Sequence, residues 1–214
     1  MKAKTKRVQS EMLMVNPKEF TRFFLMTILA LLSITSLAQQ ESKFDFGLKI
    51  MFGGRYDNVR MCVASEAGVP GGMIADVMML VKYPLKDNLN LTFELPVMRP
   101  ILFVTAFQML QFEPQFTLEY SKQLSKGEFF VAGFGLGTSF HYGPDYKSDQ
   151  KNKNHSFFAI GPEFSTLLAY KFSNKEGIPR IIGIRPFYIP LFSNEPGYES
   201  GTVLGGVVDF GYYF

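Results

Sequence analysis

Between Phe44 and Phe214, apolar and polar side chains change places at every second residue, and a β-strand is the backbone that turns such a period into two faces. Eight segments carry this pattern. The first, Phe44 to Gly53, sets Phe44, Phe46, Leu48, Ile50 and Phe52 against Asp45, Gly47, Lys49 and Met51. The second spans Met73 to Leu85 and has Asp76 and Lys82 on one face. The third opposes Leu89, Leu91, Phe93, Leu95 and Val97 to Asn90, Thr92, Glu94 and Pro96. The fourth, Gln108 to Ser121, opposes Leu110, Phe112, Phe116 and Leu118 to Gln111, Glu113, Gln115 and Glu119. In the fifth, Phe130 to His141, the face opposite the aromatics carries Gly133, Gly135 and Gly137. The sixth, Phe158 to Lys171, has Glu163 on its polar face, and the seventh, Arg180 to Phe192, has Arg185. The last, Leu204 to Phe214, has Asp209 there.

The connections alternate in length. Lys86 to Asn88, Lys122 to Gly127 and Ser173 to Gly177 are short and polar. Arg55 to Gly71, Arg99 to Phe107, Tyr142 to His155 and Ser193 to Gly201 are longer. Sequential antiparallel strands with an even count close into an up-and-down barrel. The charge distribution decides which face looks inward. A soluble barrel would bury its apolar set and expose the charged one, but eight strands enclose too little space for so many aromatics. With hydrocarbon outside, the apolar faces meet lipid, closure satisfies the backbone, and Lys49, Asp76, Lys82, Glu94, Glu113, Glu119, Glu163, Arg185 and Asp209 form a lumenal charge cluster. The fold class read from the sequence is therefore all-β, an eight-stranded antiparallel transmembrane β-barrel. Tyr83, Tyr120, Tyr170, Phe172 and Tyr212 fall at one expected membrane interface and Phe52, Phe140, Tyr142 and Phe192 at the other.

The N-terminal segment has a different character. An uncharged run from Phe23 to Ala38 follows the basic residues Lys18 and Arg22 and ends in small residues Ser36 and Ala38 ahead of Gln39. This is the layout of a cleaved signal peptide, residues 1–38, leaving a barrel domain of residues 39–214. An uncleaved anchor would need a longer apolar run, and lipoprotein processing would need Cys where Gln39 stands. Translation from Met12 or Met14 would shorten the leader. Of 22 basic and 19 acidic residues, the leader holds six and two, leaving 16 against 17. The basic balance of the whole chain thus belongs to the leader, and nucleic acid is not an expected partner. Cys62 is the single cysteine. It cannot form an internal disulfide and reads as a small apolar loop residue or a free thiol.

The chain ends on Phe214, preceded at alternate positions by Tyr212, Phe210 and Val208. This terminus resembles the assembly signal of outer-membrane barrels, and the chain after the leader resembles the small eight-stranded barrels of the OmpA/OmpX-like class. The resemblance implies a Gram-negative outer membrane, passage through the Sec translocon, insertion by the barrel-assembly machinery, and contact with outer-membrane lipid and lipopolysaccharide. Short turns would then face the periplasm and long loops the exterior. The function expected is structural or surface-binding, with a mostly closed polar lumen, no cofactor, no metal and no catalysis. A narrow solute pore beside the inward glycines is the first alternative; bulky neighbours such as Phe187 filling that space is the competing reading of those glycines. A lipid-modifying enzyme using His141, Asp145 and Ser156 near the outer rim is the second. Histidine suits base catalysis near neutral pH. The plainer expectation is that His141 and His155 are rim residues facing water or lipid head groups.

Overall fold

The computed structural model describes residues 44–58, 70–105, 109–144, 156–173, 179–197 and 199–214. The leader, Cys62, Asp145 and His155 lie outside the described residues. Among the described residues, nine strands and one helix follow in chain order: β1 (Asp45–Asp57), β2 (Gly72–Lys86), β3 (Leu89–Pro96), α1 (Met98–Thr105), β4 (Leu110–Phe112), β5 (Gln115–Ser125), β6 (Glu128–Pro144), β7 (Ser156–Ser173), β8 (Pro179–Phe192) and β9 (Ser200–Tyr213). Every pairing is antiparallel. The ring runs β1-β2-β3-β5-β6-β7-β8-β9 and closes on β1, where Gly47 lies opposite Tyr213 and Asp57 opposite Val203. Phe214 donates its N–H to the Phe46 carbonyl at 2.9 Å, so the closing seam holds to the last residue.

β4 and β5 occupy one ring position. Phe112 lies opposite Phe140 and Gln115 opposite Gly137, so the register does not slip between them. The ladder breaks because Pro114 accepts a bond from the Thr138 N–H at 3.1 Å and has no N–H to return. The fourth segment, read from the sequence as continuous, is thus one strand with a missing rung. One connection is also tighter than the alternation suggests. β5 runs on to Ser125, and the turn to β6 contains Gly127 at a φ of 82°, where a side chain would be strained.

The largest correction concerns residues 98–105. The sequence reads Arg99 to Phe107 as an outer loop, whereas Met98–Thr105 forms α1. β3 stops halfway up the wall, with its ladder to β2 ending at Met78–Pro96 and its ladder to β5 at Glu94–Gln115. Pro100 lies in the first turn of α1, where its missing N–H is not needed. The first helical N–H groups, Met98 and Arg99, donate across the barrel wall to Asp76 Oδ1 at 3.1 and 3.3 Å. A carboxylate at a helix N-terminus both satisfies orphan donors and complements the helix dipole. That cap comes from β2, so local sequence does not announce it.

The faces are arranged inside-out relative to a soluble protein. Leu48, Ile50, Phe52, Phe116, Phe134, Leu136, Ile184, Leu204 and Phe210 are exposed on the outside of the ring, while the lysines, arginines and carboxylates are buried inside. The lumen also contains buried apolar side chains, among them Met51, Ile74, Met78, Phe187, Ile189 and Val203. Among the described residues no helix is long and apolar enough to cross a membrane.

Candidate functional site

Alternation sends one parity of each strand inward, and the register then stacks the inward charges into three storeys. Near the short-turn end, Lys82 pairs with Glu119 at 2.7 Å and its ammonium lies 4.3 Å from the centre of the Tyr213 ring. Such a contact adds a cation–π attraction to the ion pair. The middle storey joins four charges. Arg185 donates through Nε to Asp209 at 2.8 Å and through Nη2 to Glu94 at 2.9 Å. Lys49 donates to Glu94 and, at 3.3 Å, to Asp209. Two cations thus meet two carboxylates. Neutral groups complete the shell: Thr117 donates to Glu94 at 2.8 Å, Gln115 to Glu94 at 3.3 Å, and Ser165 to Gln115 at 2.7 Å. Buried ions are tolerable when pairing and hydrogen bonding satisfy them in this way.

The upper storey contains residues that the strand pattern did not assign to the lumen. Arg99, from α1, pairs through Nε with Asp76 and donates through Nη1 to Glu113 at 2.7 Å. Arg55 donates to Glu113 at 3.2 Å and to Asp57 at 2.7 Å. The sequence reading put Arg55 and Arg99 in outer loops; both are lumenal and only 5% and 2% exposed. β1 simply continues its alternation to Asp57, carrying Arg55 inward, and α1 turns Arg99 through the wall.

His141 is also corrected. Rather than facing water or head groups at the rim, it is fully buried, with Nε2 3.3 Å from Glu113 and Nδ1 4.0 Å from Asp57. β6 runs three residues beyond it to Pro144, which places His141 below the mouth. Ser139 donates to Glu113 at 3.3 Å, so the imidazole and this hydroxyl share a carboxylate. Ser156, another residue of the enzymatic alternative, pairs with Pro144, three rungs above the His141–Ala159 pair. Among the described residues no group of His, Cys, Asp and Glu is arranged to hold a metal ion.

One of the inward glycines, Gly135, makes room for a polar contact. A Cβ on Gly135 would sit 2.2 Å from Ser165 Oγ and 2.5 Å from Gln115 Oε1, so its absence permits the Ser165–Gln115 bond. The side chains nearest the three glycines are Thr117, Leu167, Ser165 and Gln115, and Phe187 is not among the nearest. Its ring packs over Gly205, where a Cβ would lie 2.5 Å from Cζ. Between the upper and middle storeys is a void of about 10 Å³, at the threshold for one water molecule. Arg99, Glu113, Glu163 and Arg185 line it together with Met51, Met78 and Phe187. Glu163, 5% exposed, presents a carboxylate oxygen there that accepts no bond from the described residues. A second void of similar size lies between the middle and lower storeys.

The terminal residues Val208, Phe210, Tyr212 and Phe214 all point outward from β9. Neither a protein-family model nor a curated protein matches the sequence. Among solved structures, Neisserial surface protein A superposes with a TM-score of 0.56 at 11% identity, over 80% of this chain and 96% of that one. The fold is that of a small outer-membrane β-barrel. Two more such structures align more loosely. The attachment invasion locus protein Ail of Yersinia pestis has a TM-score of 0.36 at 8% identity, over 79% of this chain and 98% of its own. A major outer membrane protein of Thermus thermophilus has a TM-score of 0.41 at 10% identity, over 80% of this chain and 99% of its own.

Proposed function

We propose that this chain is an outer-membrane barrel of a Gram-negative envelope with a plugged lumen, acting as a structural or surface-binding protein rather than as a channel or an enzyme. The observation that carries this reading is the stack of ion pairs. Five cations, Lys49, Arg55, Lys82, Arg99 and Arg185, pair inside the bore with carboxylates from other parts of the wall, and the voids between storeys are the size of single waters. Such a bore offers no continuous aqueous path, and eight strands leave little width for one. Leader cleavage after Ala38, Sec export, recognition of the Phe214 terminus by the assembly machinery and contact with lipopolysaccharide belong to the same proposal. They are supported by the sequence of those segments and by the outward apolar band.

The burial of His141 against two carboxylates argues against surface lipid chemistry, since a base that deep cannot meet a head group at the rim. Purified barrel reconstituted in a planar bilayer tests the proposal. It should show no discrete conductance steps. Steady ohmic steps from the unmodified chain would instead establish the narrow pore.

A further inference from the structure

Charge does not balance inside the barrel. Among the described residues, seven carboxylates are buried against the five lysines and arginines of the ion-pair stack. A charged His141 would raise the positive count to six and still leave one carboxylate over. Six of the seven, Asp57, Asp76, Glu94, Glu113, Glu119 and Asp209, stand in ion pairs. The seventh is Glu163. It is 5% exposed, makes no ion pair with a described residue, and its Oε2 accepts no hydrogen bond.

The surroundings of Glu163 offer no spare counter-charge. β1, β2 and β9 line the void beside it with Met51, Ile74, Met78 and Val207, none of which ionises. β6 places Gly137 opposite Glu163, and β5 contributes the neutral Gln115. The charged groups around the void are Arg99 from α1, Arg185 from β8 and Glu113 from the link between β4 and β5. Glu94, from β3, stands behind Arg185. Both guanidiniums are committed, Arg99 to Asp76 and Glu113, Arg185 to Asp209 and Glu94. Arg99 Nη2 has no partner, yet it makes no hydrogen bond to Glu163. His141 and Ser139, farther along β6, are engaged with Glu113. Lys171 is half-buried at the short-turn end of β7, eight residues away. With a void of about 10 Å³, there is room for no more than one water to hydrate the carboxyl.

We propose that Glu163 is a proton-holding site: in the folded barrel it is a neutral carboxylic acid, whose proton is taken from water as the lumen closes around it. An ionised carboxylate without a partner in a dry interior is costly, and binding a proton removes that cost. Protonation also brings the ionised carboxylates down to six, the number that five bases and a charged imidazole can match. The inference rests on the plugged lumen proposed above. Conductance, which tests that reading, is measured separately.

The barrel, folded in phosphatidylcholine vesicles near neutral pH, is compared by infrared absorption with Glu163→Gln, which has the shape of the protonated acid and no such proton to lose. The unmodified chain should show the carbonyl stretch of a protonated carboxylic acid, on the high-frequency side of the carboxylate and amide bands. Glu163→Gln should lack it. Urea titration in micelles gives a second readout. In the unfolded chain this carboxyl ionises near the usual glutamate value of about 4.3, so above that pH the native barrel holds one proton more than the unfolded chain. Its stability relative to Glu163→Gln should therefore be greatest in acid and fall as pH rises, by about tenfold in the folding constant per pH unit between about pH 5 and about pH 7. If Glu163→Gln does not fold, as judged by heat-dependent gel mobility, Glu163→Met takes its place. An acid carbonyl band missing from a non-conducting unmodified barrel, or the same pH dependence of folding in the two chains, would overturn the proton site and leave Glu163 ionised against Arg99. Conductance steps would overturn the plugged lumen instead.

Discussion

Replacing Arg185 with methionine keeps an unbranched stem and removes the guanidinium charge at the centre of the middle storey. In the intact barrel, two cations face two carboxylates there, and Arg185 makes close charged bonds to both Asp209 and Glu94. After Arg185→Met, Lys49 alone serves two buried carboxylates, one of which loses its best partner. Breaking a buried ion pair from one side costs about 3–5 kcal/mol, because the remaining charge stays desolvated. With a urea slope of about 2 kcal/mol per molar, the unfolding midpoint in detergent micelles should fall by about 2 M. Adding Asp209→Leu restores neutrality by leaving Lys49 with Glu94. The double variant should therefore recover about 1–3 kcal/mol relative to the sum of the two single costs. Strict additivity, or a midpoint shift for Arg185→Met below about 0.5 M, would refute the idea that this network holds the lumen together.

Other expectations follow from the same geometry. Gly135→Val drives a side chain into the Ser165–Gln115 bond and should cost about 1–3 kcal/mol in the same urea titration, the usual penalty for overpacking. Gly127→Ala meets nothing within 4 Å and should cost only the turn strain of about 1 kcal/mol. Ile184→Arg, on the outer face midway along β8, should cost about 2–4 kcal/mol when the barrel is folded into lipid vesicles, whereas a wet exterior would make it nearly neutral. Deleting Phe214 should shift the protein from the outer-membrane fraction to periplasmic aggregates or degradation; unchanged yield in the membrane would show that the terminus is not an assembly signal.

Much of this fold is written in the period-two pattern, because each strand has a lipid face and a lumen face and the two differ in chemistry. The inward direction of Lys49, Lys82, Glu94, Glu119, Arg185 and Asp209 could be read from parity alone, since those strands are regular where the charges sit. Arg55 was legible in principle. It shares the odd parity of Lys49 and Met51 and continues their face, but the glycine pair Gly53-Gly54 looks like the end of a strand. His141 was given the correct face and the wrong depth, for β6 outlasts its obvious alternation by reaching Pro144. Arg99 was not legible. The sequence Met98-Arg99-Pro100-Ile101-Leu102-Phe103 has no strand period and no capping residue of its own, and the carboxylate that starts its helix belongs to Asp76, more than 20 residues earlier. The Glu113 network inherits that blindness, because its partners arrive from β1, α1 and β6 at once.

The central claim, a closed barrel that spans the outer membrane, is tested most directly by running an outer-membrane fraction on a detergent gel with and without boiling. A closed barrel resists detergent and keeps its compact mobility until heated, so the band should move between the two lanes. A protein recovered in the soluble periplasm, with the same mobility in both lanes, would contradict the account and point to a water-soluble barrel with its faces reversed.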